Sequence, residues 1–111
     1  MSHLTLRDGE LERIYKNYPD KVPVFITKSH TAKSNIPEIR KNKFLAPSHF
    51  IMAEFTMIIR KWLVLTPEMA IFIFINNTMP VSSMTIGEIY LKYKDPDGVL
   101  RMNYAPENTF G

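Results

Sequence analysis

The chain has 111 residues, no cysteine and a formal net charge of +3, with 45% apolar and 23% charged residues. This length and composition predict one folded domain with its own core, and the lack of cysteine excludes disulfide scaffolds, thiolate metal sites and cysteine nucleophiles. The longest apolar run, at residues 69–75, is far shorter than the roughly 18 residues that a membrane-spanning helix needs. The N-terminus lacks the basic and apolar segments of a secretory signal, so we expect none.

Basic residues cluster in KNK at 41–43 and in RK at 60–61, and this charge raises the question of a nucleic-acid partner. Lys and Arg total 14 against 11 Asp and Glu, however, and the chain has neither zinc-finger spacing nor an RNA-binding signature. We therefore expect no nucleic acid. A positive face of this strength suits acidic peptides, anionic membranes or plain solvent exposure.

The first part of the chain is predicted to form a helix followed by two strands. In residues 9–18 the apolar side chains recur at helical spacing, and Pro19 ends the helix. Residues 21–28 are rich in β-branched and aromatic side chains and predict a strand, with Pro23 near its start. After a polar loop, residues 43–46 predict a second, short strand.

A long helix is predicted over residues 48–63, because apolar side chains recur there at intervals of three and four residues. Ser48 is its expected N-cap. Residues 66–68 (TPE) fit one further helical turn. Residues 69–76 (MAIFIFIN) are apolar up to residue 75 without helical gaps, which is typical of a strand buried on both faces and therefore central in its sheet.

The last part of the chain predicts a short helix, begun by a capping box of Thr85 and Glu88, and a final strand at 99–104 after the turn signal KDPDG. This order predicts an α+β fold. One long helix crossing a small mixed sheet matches a ubiquitin-like β-grasp, although another α+β sandwich fits the same elements. We expect a single domain over residues 1–111, with an N-terminal helical extension at 1–18, the β-grasp core at 22–104 and a flexible tail at 105–111.

Stretches along nearly the whole chain from Glu12 onward match one known family. In chain order they are ERIYKNYPDKVPV, IPEIRKNKFLAPS, FTMIIRK, PEMAIFIFINNTMP, IYLKYKDPDG and ENTFG. On these residues the chain resembles the autophagy ubiquitin-like modifiers, the family of the GABA-receptor-associated protein and the microtubule-associated light chain. The resemblance implies a β-grasp whose N-terminal helical extension is truncated, since only about eleven residues precede the match.

The resemblance gives the final residue, Gly111, a chemical role. In the family, a C-terminal glycine carboxylate is adenylated, carried as a thioester by activating and conjugating cysteine enzymes, and joined to the amine of phosphatidylethanolamine. A cysteine protease processes the precursor and removes the lipid. The resemblance thus implies lipid attachment at Gly111, location in the cytoplasm and on the autophagosome membrane, and no catalytic residue, cofactor or metal. Whether Gly111 is the natural end or a trimmed one stays open.

The resemblance also implies a surface for peptides of the form aromatic-x-x-aliphatic, found in cargo receptors and adaptors. Such a peptide would add as a strand beside KFLA at 43–46, with one pocket for each anchor. The aromatic pocket would be lined by Glu10, Ile14, Pro23, Phe25, Lys43, Leu45 and Val99. The aliphatic pocket would be lined by Phe44, Ala46, Pro47, Phe50, Phe55, Ile58 and Ile59. Lys41 and Arg60 would meet acidic residues flanking the motif.

Four positions depart from the family pattern in ways that bear on the site. Phe25 is larger and Val99 smaller than the family's residues, which shifts bulk from one wall of the aromatic pocket to the other. Ile51 replaces a threonine that caps the long helix, hence the expectation that Ser48 caps it. Trp62 replaces a basic residue and either extends the buried stripe of the helix or adds an exposed apolar contact.

Three other functions fit parts of the sequence. A β-grasp modifier joined to another protein also needs the terminal glycine, although ENTFG and the two pocket segments favour lipid. An adaptor that works without conjugation needs only the peptide groove. An enzyme ranks last, because His3, His30 and His49 are scattered without metal-ligand spacing and no acid pair or activated nucleophile is visible.

Overall fold

The computed structural model describes residues 4–29 and 36–107, in which four strands form one mixed sheet with helices on both of its faces. The elements are α1 (Glu10–Asn17), β1 (Lys21–Lys28), β2 (Lys43–Pro47), α2 (Met52–Leu63), β3 (Ile71–Phe74), α3 (Ile86–Tyr93) and β4 (Leu100–Pro106). Their order confirms the predicted α+β, β-grasp arrangement. None of the helices in this part of the chain combines the length and the apolar character needed to span a membrane.

Strand β1 lies inside the sheet, whose strand order is β2–β1–β4–β3. It pairs antiparallel with β2 and parallel with β4. Pro23 fits in it because its nitrogen points away from β2: the amides that bond to β2 belong to alternate residues, such as Ile26, which donates to Asn42 O at 2.9 Å. On the other side, pairing with β4 begins only at Val24. The proline therefore costs the sheet no ladder hydrogen bond.

Strand β3 lies at one edge of the sheet, and the prediction of a central strand buried on both faces is wrong. Within the described residues it pairs with β4 alone. Ile71 and Ile73 point into the core, whereas Phe72 and Phe74 lie half-buried on the other face with their ring centroids 6.1 Å apart, edge to face. Because these two rings shelter each other, the strand tolerates an unbroken apolar sequence without a neighbour on each side.

Helix α2 is capped by a loop, and the prediction that Ser48 caps it is wrong. The N-cap residue is Ile51, whose side chain makes no capping hydrogen bond. The first two amides of the helix donate instead to the carbonyl oxygens of Met84 and Ser82, at 2.8 and 3.0 Å. The Glu54 carboxylate accepts the Ile51 N–H at 2.9 Å, so half of a capping box is present.

The main core lies between the sheet and the helices α2 and α3. Val24 and Ile26 of β1 are fully buried there against Phe55 and Ile59 of α2. Tyr104 of β4 is also fully buried, and its hydroxyl donates to Pro37 O at 2.9 Å and accepts the Ile39 N–H at 2.8 Å. Burial raises the pKa of Tyr104 to about 12. One buried ring therefore also fixes the segment that leads into β2.

Helix α1 packs on the opposite face of the sheet, where the turn before β4 holds it. Leu11 lies so close to Gly98 that a Cβ on this glycine, whose φ is +84°, would come within 2.5 Å of the leucine side chain. The Tyr90 hydroxyl donates to Gly98 O at 2.7 Å, so the Tyr15 hydroxyl, 2.5 Å away, must donate to Tyr90. Burial, followed by the bond with Tyr15, raises the pKa of Tyr90. These contacts set the position of α1 over β1.

Candidate peptide-docking site

The outer edge of β2 carries backbone groups that are available for another strand. The bonds from Ile26 N–H to Asn42 O and from Ser48 N–H to Asp20 O show that even-numbered residues of β2 face β1. The N–H and C=O groups of Lys43 and Leu45 therefore point outward, and no strand of residues 4–29 or 36–107 covers them. A peptide added along this edge finds two residues to pair with.

The two predicted pockets lie on opposite faces of this edge strand. Side chains alternate along β2, so Lys43 and Leu45 face the side of α1, whereas Phe44 and Ala46 face the core under α2. The register places Pro23 beside Leu45 and Phe25 beside Lys43, which continues the α1 face onto β1. Peptide anchors three residues apart would leave a bound strand on opposite faces, as this arrangement requires.

The structure brings the predicted aromatic-pocket residues together beneath α1, but it buries several of them. Ile14 of α1, Pro23 and Phe25 of β1, and Val99 before β4 are buried. Leu45 is half-buried and Lys43 is exposed. The large Phe25 side chain is itself only 6% exposed, so it belongs to the floor of the site, and Leu45 and Lys43 form its outer wall.

An ion pair crosses the rim of this first site. The Lys43 ammonium lies 2.6 Å from the Glu10 carboxylate, which also accepts the Arg7 N–H at 3.0 Å. The bond from Lys43, and then the Arg7 amide, hold the pKa of Glu10 below its ordinary value. Glu10 thus connects the start of α1 to the edge strand, and the carboxylate is available to a partner only if this pair opens.

The predicted aliphatic-pocket residues divide into floor and wall. Phe44, Ala46, Phe55 and Ile59 are buried in the core and form the floor. The half-buried residues Pro47, Phe50 and Ile58 are the ones that offer surface to a ligand. Helical spacing placed Phe55, Ile58 and Ile59 on one apolar face, but it did not distinguish the residue that reaches the surface from the two that do not.

The two residues predicted to meet acidic flanks have different surroundings. The Arg60 guanidinium donates to Thr66 O at 3.1 Å and to Met69 O at 2.5 Å, so it ties α2 to the loop that follows. The Lys41 ammonium is solvent-exposed and lies 4.9 Å from the centroid of the Phe44 ring. Lys41 is therefore available at the groove, whereas Arg60 already has two backbone acceptors.

Trp62 also borders the groove. From the sequence it was undecided whether this side chain extends the buried stripe of the helix or adds an exposed apolar contact. Trp62 is 38% exposed, and its indole packs edge to face on Phe44, with 6.1 Å between the ring centroids.

The prediction of lipid attachment at Gly111 concerns a residue outside those that the structure describes. The last described contact before it is from the Glu107 N–H to Ala70 O, at 3.0 Å.

Comparison with known proteins identifies the family. The family model "Autophagy protein Atg8 ubiquitin like" matches residues 6–111. Autophagy-related protein 8d of Arabidopsis thaliana is 41% identical over 108 residues, covering 97% of this chain and 88% of the relative.

Two solved structures are similar in fold as well as in sequence. ATG8 of Trypanosoma brucei is 37% identical with a TM-score of 0.81, covering 90% of this chain and 84% of that one. Plasmodium falciparum Atg8, solved with a peptide of Atg3, is 33% identical with a TM-score of 0.78, covering 87% and 85%. With its β-grasp sheet and a model match over nearly its whole length, the chain belongs to the Atg8 family of ubiquitin-like autophagy proteins.

Proposed function

We propose that this member of the autophagy ubiquitin-like modifiers is joined through the carboxyl group of Gly111 to the amine of phosphatidylethanolamine. The observation that carries the proposal is the family match, which extends over residues 6–111 and includes this glycine. The protein would be cytoplasmic before conjugation and bound to the autophagosome membrane after it. Two acyl chains are enough for stable anchoring, whereas one is marginal.

The proposed reaction needs an activated carboxylate and an unhindered carbonyl carbon. ATP converts the carboxylate to an acyl adenylate with release of pyrophosphate, and a cysteine thiolate of the activating enzyme then displaces AMP. Transfer to a cysteine of the conjugating enzyme keeps the thioester, and attack by the lipid amine forms the amide and frees the thiol. Glycine suits these transfers because it has no Cβ to obstruct the narrow clefts in which they occur. A processing and delipidating cysteine protease would complete the cycle.

The second part of the proposal is peptide capture at the edge of β2. Lys43 and Leu45 present unpaired backbone groups there, with the aromatic-pocket residues on one face and the aliphatic-pocket residues on the other. We infer that the groove takes aromatic-x-x-aliphatic segments of cargo receptors and adaptors. The Atg3 peptide bound to the Plasmodium falciparum relative supports a peptide of the conjugating machinery as a further partner.

Magnitudes indicate modest affinity for a single site. Two buried anchors contribute about 1.5–3 kcal/mol each, and each strand hydrogen bond adds about 1 kcal/mol. Association itself costs at least ~4 kcal/mol, which leaves about 6 kcal/mol at most and therefore a dissociation constant of roughly tens of micromolar or weaker. Many copies anchored on one membrane raise the effective concentration, so lipid attachment and peptide capture reinforce each other.

Reconstitution tests the conjugation. The protein is incubated with activating and conjugating enzymes, ATP and phosphatidylethanolamine vesicles, and we expect a faster-migrating, vesicle-bound form. Vesicles of phosphatidylcholine, which has no primary amine, are the control for the acceptor. If this form is absent and the wild type and Gly111→Ala behave alike, lipid attachment at Gly111 is rejected. A stable conjugate to a protein in place of the lipid would support the alternative of a protein modifier.

Substitution of the half-buried wall residues tests the groove. Leu45→Asp and Phe50→Asp each place a charge on one of the two sites, and each is expected to weaken binding of an acidic aromatic-x-x-leucine peptide at least tenfold. Leu91→Asp is the matched control, because Leu91 on α3 is 75% exposed and outside both pockets. Unchanged binding in both groove variants would dispose of the two-site arrangement. Peptide capture with no conjugation of any kind would favour the adaptor function.

A further inference from the structure

Trp62 and Lys41 form a small cluster with Phe44 beside the groove. The Trp62 ring packs edge to face on Phe44, and the Lys41 ammonium lies 5.2 Å from the indole centroid and 4.9 Å from the Phe44 centroid. The ammonium is therefore within cation–π distance of both rings. No carboxylate of residues 4–29 or 36–107 pairs with Lys41, and Trp62 is 38% exposed. An aromatic surface with a positive rim is thus left open to a partner.

The position of this cluster along β2 decides which part of a bound peptide reaches it. The aromatic site includes Lys43, the first residue of β2, whereas the aliphatic site extends to Pro47, the last residue of β2, and to Phe50 beyond it. A peptide with its aromatic anchor first must therefore run parallel to β2. Because side chains alternate, the residue directly after the aromatic anchor faces the α2 side, opposite Phe44 and next to Trp62.

We propose that Trp62 forms a third subsite of the groove, which selects an aromatic residue directly after the aromatic anchor of an acidic peptide. The inference rests on the proposed peptide groove. It names the class of partner: a segment of the form acidic, aromatic, aromatic, x, aliphatic. Lys41, which no carboxylate of the described residues pairs with, supplies the charge complementarity for the acidic flank.

Two interactions compete to set the preference at this subsite, and their sizes decide between them. A tryptophan buries up to about 250 Å² in a well-packed site, so covering most of the open third of the indole is worth about tenfold in affinity. An exposed ion pair between a peptide carboxylate and Lys41 is worth about fivefold at most. The apolar contact therefore dominates at the subsite, and a lysine there meets the like charge of Lys41.

The test uses three acidic peptides without tryptophan that differ only in the residue after the aromatic anchor: Phe, Ala or Lys. We expect the Phe peptide to bind about tenfold more tightly than the Ala peptide, and the Lys peptide to bind most weakly. Trp62 is the sole tryptophan of the chain, so its fluorescence reports the contact directly. Its emission should move to shorter wavelength with the Phe peptide and change little with the Ala peptide.

Variants of Trp62 test whether its indole ring causes the preference for the Phe peptide. Trp62→Ala should bring the Phe and Ala peptides within about twofold of each other, Trp62→Phe should keep part of the difference, and Leu91→Ala should leave it intact. Equal affinity of wild type for the Phe and Ala peptides, with unchanged emission, would overturn the third subsite while leaving the groove in place. Failure of all three peptides to bind would overturn the groove and the subsite together.

Discussion

The Lys43 ammonium on the edge strand lies 2.6 Å from the Glu10 carboxylate at the start of α1. This ion pair joins the helix to the strand on which a peptide is proposed to dock. The lysine side chain is 46% exposed and the glutamate side chain 17% exposed, so solvent screens the pair only in part. Peptide docking and the packing of α1 therefore share one partly exposed electrostatic contact.

The lowered pKa of Glu10 predicts how this contact responds to acid. A carboxyl group whose folded pKa lies below its ordinary value of 4.5 contributes stability that is fully present above 4.5 and lost as the pH falls through the folded pKa. Glu10→Gln should lower the free energy of unfolding at pH 7 by about 1 kcal/mol or less. Denaturant titrations from pH 7 to pH 3 should show the two proteins converging below pH 4.5. A constant difference over this range would contradict the assignment.

Restoring a side-chain cap on α2 is expected to stabilise the protein. Ile51→Thr adds a hydroxyl that can accept the Glu54 N–H, which completes the capping box. Ile51→Val removes a similar volume without adding an acceptor, so the difference between the two variants isolates the cap. We expect the Thr variant to be more stable than the Val variant by about 1 kcal/mol in thermal or denaturant unfolding. Equal stability would mean that the loop carbonyls already satisfy the helix end.

The end of α2 carries conformational strain that a glycine should relieve. Val64 follows the helix with φ +57° and is 68% exposed, and a β-branched residue is strongly disfavoured in this left-handed region. Val64→Gly is therefore expected to raise the free energy of unfolding by about 1 kcal/mol. Val64→Ala keeps a Cβ at the same φ and serves as the control, with a smaller gain. Equal gains in both variants would attribute the effect to the lost side chain and not to the backbone.

We expect the buried hydroxyl of Tyr104 to contribute more to the stability of the fold than its small size implies. Tyr104→Phe keeps the ring but leaves the Ile39 N–H and the Pro37 carbonyl without their partner, and we expect a loss of about 1–3 kcal/mol. Tyr93→Phe, on half-buried Tyr93, is the control and should change stability by less than about 0.5 kcal/mol. Similar losses in both variants would show that the segment before β2 does not depend on this hydroxyl.

The type and order of the elements were predictable because they depend on neighbours in the sequence. Apolar spacing identified α1 and α2, and the Thr85–Glu88 capping box identified the start of α3, where both capping hydrogen bonds form. The place of a strand in its sheet was not predictable in the same way. The run at 69–76 implied a central strand, but the mutual packing of Phe72 and Phe74 lets it lie at the edge.

The same distinction holds for the N-terminus of α2. The residue type pointed to Ser48 as the cap, since a serine hydroxyl readily accepts a hydrogen bond from a nearby backbone N–H. The amides of the helix are satisfied by Met84 and Ser82, more than twenty residues away in the chain. A contact formed by a distant loop leaves no signal in the segment that it caps.

By itself the sequence determined the α+β class and the family resemblance, because these follow from local patterns and from motifs in order. The two sets of residues proposed for the peptide anchors came from that resemblance. Only the tertiary structure decided which members of those sets reach the surface, that Arg60 already bonds to Thr66 and Met69, and that Trp62 lies open beside Lys41. The physical reason is that burial and partnership depend on atoms brought together by the fold across long stretches of chain. Spacing along one helix or strand gives a side chain's direction but not what covers it.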